Sequence, residues 1–88
     1  MSAPKAINPA DLIHVLMERA KRSYNGDKDA EIELRRTGEL LAFVGGFEAM
    51  AKVQGLVHAY EVEHRPTVYS LASEIGACWE SIPAWANA

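Results

Sequence analysis

The sequence predicts an all-α protein: a small bundle of three to four helices that associates into at least a dimer. Three observations lead there. Alanine occurs 14 times and leucine seven times against only two threonines, a composition of high helix and low strand propensity. Apolar residues recur at three- and four-residue spacing through most of the chain, the period of a helix with one buried face. No stretch alternates apolar and polar side chains long enough for a hairpin; Tyr60 to His64 does so briefly, but it continues a helical pattern. The 88 residues hold one domain, with residues 1–7 expected to be flexible and residues 83–88 to form an irregular tail. A domain this small buries a low fraction of its surface, which is the reason to expect association.

The first helix starts with Asn8 as N-cap and Pro9 at the first helical position, where its missing N–H costs nothing. Asp11 lies in the first turn and Arg19, Lys21 and Arg22 toward the other end, all favourable to the helix dipole. Ile13, Leu16, Met17, Ala20 and Tyr24 form its buried stripe, and Asn25-Gly26 supplies the left-handed residue that ends it. A second helical stretch begins near Asp27 or Asp29, with Glu31 and Arg35 paired at i,i+4. Leu34, Leu41 and Val44, joined by Leu40 and Phe43, make its apolar face. Gly45-Gly46 then interrupts the pattern. Two adjacent glycines cost roughly 2 kcal/mol in a helix interior, yet Leu40, Phe43, Phe47, Met50, Val53, Val57 and Tyr60 keep one phase through them. One long kinked helix and two helices with a short turn both satisfy this. His64 and Arg65 favour a turn before Pro66, which opens the last helix. Val68, Leu71, Ala72, Ile75, Trp79 and Ile82 mark its buried face, and Pro83 stops it.

Composition narrows the function. The longest uninterrupted apolar run, Leu40 to Phe47, has eight residues, against the roughly 20 of a membrane span, so no spanning segment is expected. Residues 1–10 lack the apolar stretch of a secretory signal. The single cysteine, Cys78, suits a reducing cytoplasm. The net charge of −3 is unevenly spread: up to Arg36 there are seven bases and six acids, and beyond it two bases and six acids. Nucleic-acid-binding domains usually carry a basic stripe, so nucleic acid is not the expected partner.

Several constellations could carry chemistry. Asp11-x-x-His14 and Glu61-x-x-His64 have the spacing of di-iron carboxylate bundles, but Glu39, Glu48 and Glu74 flank the apolar stripes instead of pointing inward, so no metal or other cofactor is expected. Cys78 sits beside Trp79 with no cation close in sequence, the setting of an inert thiol. Ser70, Ser73 and Ser81 lack a neighbouring histidine, and Val44-Gly45-Gly46-Phe47 lacks the lysine of a phosphate loop. No catalytic residue emerges, and the protein is not expected to be an enzyme. A helix-turn-helix from Phe47 to Pro66 would put Gln54 and Glu61 at apolar positions, and its recognition helix, Leu56 to His64, carries Glu61 and Glu63 and no lysine.

Two features remain. Ala51, Gly55 and Ala59, and likewise Ala72 and Gly76, are spaced by four, forming smooth ridges expected to pack on each other within one chain or between two. Trp85, beyond the last proline, and Tyr69, off the buried stripe, are interface anchors in kind, with Glu74 and Glu80 on an acidic face that suits a basic partner. Trp85 equally fits a plug for the open end of the bundle. The function expected is a cytoplasmic, non-enzymatic regulator, inhibitor or adaptor that binds a protein partner through a helical surface. Phage-type mobile elements encode small acidic helical proteins of this sort to block a host component. The alternatives are a small helix-turn-helix DNA-binding regulator and a small-ligand binder at an oligomer interface.

Overall fold

The computed structural model describes residues 9–88, so the cap expected at Asn8 and the flexibility expected of residues 1–7 lie outside the described residues. Helix α1 spans Pro9–Tyr24, with Asp11 in its first turn and Lys21 and Arg22 in its last. It buries Ile13, Leu16, Met17 and Ala20, whereas Tyr24, expected on that stripe, turns outward to stack on Tyr69. The helix ends as expected on a left-handed glycine, Gly26 at φ 97°. Asp27 follows at once as N-cap of the next helix, its carboxylate accepting from the N–H groups of Asp29 at 3.0 Å and Ala30 at 3.2 Å.

Helix α2, Lys28–His64, has 37 residues and would measure about 55 Å if straight. The molecule's longest extent is 42 Å, so α2 must bend, and it does so at Gly46. This residue has φ 65° and ψ −157°, a region closed to side chains other than glycine's. The outcome lies between the two expected readings: two helical arms meet at the non-helical Gly46 with no loop between them. Before the bend α2 buries Ala30, Leu34 and Gly38; after it, Met50, Val53 and Val57. Leu40, Phe43 and Val44 do not join that face and lie in water. Phe43 is nine residues from Leu34, about half a turn away from it around a helix, so both cannot meet the same core. The helix closes at Arg65, in the left-handed region at φ 45°, whose N–H donates to the Glu61 carbonyl.

The last helix is shorter than expected. Helix α3 runs over Leu71–Cys78, and Val68, assigned to its buried face, is fully exposed in the preceding loop. Its four first N–H groups are all satisfied: Leu71 and Ala72 donate to the Glu61 carboxylate at 2.6 and 2.8 Å, Ser73 to the Ser70 hydroxyl at 3.1 Å, and Glu74 to the Ser70 carbonyl. Pro83 does not merely stop a helix. It opens α4, Pro83–Ala86, where an irregular tail was expected, and Ile82 stays buried just before it, outside any helix.

The core lies between α1, both arms of α2 and α3, and its largest fully buried side chain is Trp79. The Trp79 indole N–H donates to the Leu34 carbonyl at 2.8 Å. That approach requires Gly38, one turn further along α2, because a Cβ there would overlap the indole and come within 2.7 Å of Ile82 Cδ1. No strand occurs among the described residues, and the protein is all-α.

Candidate functional site

The bend of α2 leaves its outer side without a covering element. Leu40 is 55% exposed, Phe43 89%, Val44 75% and Phe47 42%. Leu40, Phe43 and Val44 occupy the last turn before Gly46, and Phe47 is the first residue after it. Arg36, Glu39, Glu48 and Lys52, on the same and the flanking turns of α2, are all exposed. Phe47 leans on Trp85, their ring centroids 5.3 Å apart, and Trp85 in turn meets Trp79 edge-on at 5.2 Å. Trp85 is thus half-buried against the core, held there by α4, and borders the exposed elbow through Phe47.

The other expected interface residues are elsewhere. Tyr69 is half-buried and stacks flat on Tyr24 with centroids 3.6 Å apart. Glu74 accepts from the Ser23 hydroxyl at 2.7 Å, so both residues contact the last turn of α1 while Trp85 packs on Phe47 and Trp79. Glu80 is exposed. The two small-residue ridges do not meet at Gly55, which faces open space, while a Cβ on Gly76 would come within 2.8 Å of Gln54 Nε2, the group that donates to the Ala72 carbonyl. Gly76 therefore packs on Gln54 and Trp85, and of the other small residues Ala51 is half-buried and Ala59 exposed.

Chemically capable groups are engaged structurally. Glu61 caps α3. His14 meets the Tyr60 ring edge-on at 5.0 Å between centroids, and His64 lies tilted against the same ring at 4.2 Å. Among the described residues no three His, Cys, Asp or Glu side chains gather as metal ligands. Burial pushes the Cys78 thiol above its ordinary range; the Ser23 hydrogen bond opposes this and the negative charges of Glu74 and Glu31 add to it, so the sulfur stays a protonated, weak nucleophile.

Two of the three lysines and arginines of α1 are also paired, and Lys21 is exposed. Arg19 pairs with Glu33, and Arg22 with Glu18 at 2.8 Å and Asp27 at 3.4 Å. The span from Phe47 to His64 is one uninterrupted helix, so the turn that a helix-turn-helix would need there is not formed. An open groove of about 350 Å³ is lined by Arg35, Glu39, Ser81, Ile82 and Pro83, with Arg35 already 3.9 Å from Glu39. By length and composition alone α2 is apolar enough to cross a membrane, which the count of uninterrupted apolar residues missed because single charges divide the stretch.

No protein family, curated protein or solved structure matches this chain.

Proposed function

We propose that the protein is a non-enzymatic regulator or adaptor that works by binding another protein at the apolar elbow of α2. The observation that carries this reading is Phe43, 89% exposed at the centre of three further exposed apolar side chains. Burying one such side chain stabilises a complex by about 1.5–3 kcal/mol, and aromatic anchors ringed by polar groups are where interface energy concentrates. The occupied state of Arg19 and Arg22 favours a protein over a phosphate backbone as partner. A cytoplasmic setting keeps Cys78 reduced and fits the same reading, as does an origin in a mobile element that encodes small blocking proteins.

The test uses tagged wild type and Phe43→Asp as baits in an extract of the native cells, after checking that their melting temperatures agree. A protein of another sequence that the wild type retains and the variant loses is the expected result. Equal retention by both baits, or retention of no other protein, overturns the proposal.

A further inference from the structure

We infer that the elbow of α2 is also the surface through which two copies of this chain associate, an inference that rests on reading the elbow as a contact surface. The size of the patch comes first. From their exposures, Leu40, Phe43, Val44 and Phe47 together leave roughly 500 Å² of apolar surface in water, near the upper end for a monomer. Two copies face to face bury about 1,000 Å² from these side chains alone, the lower bound of a specific interface, and the polar rim adds to it.

Charge argues for a second copy over a strongly acidic or basic partner. A two-fold contact must match itself, so its rim has to carry both signs. Here the helical turns that carry and flank the patch expose both signs, Arg36 and Lys52 together with Glu39 and Glu48. Arg36, Lys52 and Glu48 form no ion pair among the described residues, which leaves both signs available to a copy rotated by 180°. Shape argues the same way. The patch is the outer side of a bent helix, and the ridge of another helix packs on such a surface without needing walls. Two elbows crossing bring Phe43 of each copy onto Leu40 and Val44 of the other.

Sedimentation equilibrium over a range of concentrations tests this with wild type, Phe43→Asp and Val68→Asp. Val68 is equally exposed but lies in the loop before α3. Wild type and Val68→Asp should pass from monomer to dimer together. Phe43→Asp, which loses an anchor from both halves of the contact, should dimerise at least a hundredfold more weakly with unchanged helicity. A dimer that survives in Phe43→Asp overturns the assignment of the surface. A wild type that stays monomeric throughout overturns self-association, and the bait experiment with the same variant still decides whether the elbow binds another protein.

Discussion

Gly38 and Gly55 both stand inside α2 and should answer substitution in opposite ways. At Gly38 a methyl group collides with the Trp79 indole, so Gly38→Ala should lower stability by about 1–3 kcal/mol despite its gain in helix propensity. At Gly55 the space is open, and Gly55→Ala should raise the stability of the monomer by up to about 1 kcal/mol. Thermal melting of the two variants checks both signs. Gly38 gave no signal in the sequence, because a lone glycine between the polar Thr37 and Glu39 looks like a tolerated one; its reason lies in Trp79, 41 positions away. Cys78 was legible from its neighbour Trp79 alone. With its thiol held above the ordinary range by burial, alkylation by iodoacetamide should follow a pH profile displaced upward from that of a free thiol. The sign for stability follows: the thiol's contribution is complete below the unfolded-state pKa and is lost as pH rises toward the folded one. A profile matching the free thiol would show the sulfur to be solvated.

At the level of elements, what was local in the chain could be read and what was remote could not. Asp27 caps α2 from two and three residues away, and Gly26 ends α1 one residue earlier, so both boundaries followed from the order of residues. Glu61 reaches α3 across ten and eleven residues, and nothing in its spacing to His64 signals that role. Glu61→Ala removes the acceptor for two helix donors and a charge that suits the α3 dipole, and should cost about 1–3 kcal/mol. Chemical denaturation measures it; a change below about 0.5 kcal/mol would mean water replaces the carboxylate without loss. The buried face of α2 was misread in part, for a different reason. Leu34, Met50, Val53 and Val57 are buried as their spacing implies, but before the bend the core stripe also uses Ala30 and Gly38, of which Gly38 makes room for Trp79, while the larger Leu40, Phe43 and Val44 are exposed. Hydropathy ranks those three above Ala30 and Gly38, so before the bend apolar periodicity put exposed residues on the buried face.

For the whole molecule, the all-α class followed from composition, whereas the sequence left Trp85 open between a docking anchor and a plug for the end of the bundle. Trp85 lies between Phe47 and Trp79, and α4 is the short element that holds it there. Removing residues 83–88 should therefore lower stability by about 2–3 kcal/mol and expose Phe47 further. Denaturant titration of the truncated chain checks this, and an unchanged midpoint would return Trp85 to the role of a free docking residue. A two-fold dimer has a further consequence by mass action: another protein that uses the elbow must displace the second copy. Its apparent affinity should fall as the concentration of this chain rises above the dimer dissociation constant, and titration at two protein concentrations reads the difference.

The bend at Gly46 also divides α2 in time. A helix holds its amides by a continuous ladder, and a residue at φ 65° and ψ −157° breaks that ladder at one point. Local opening costs least where few buried contacts back the hydrogen bonds, and Leu40 to Phe47 have few. In hydrogen–deuterium exchange the amides flanking Gly46 should be the fastest inside α2, with slower arms on either side protected by Leu34 and Val57. The surface proposed as the contact site is then also the part of the long helix that opens first, and occupation of the elbow should slow exchange there more than anywhere else in the chain.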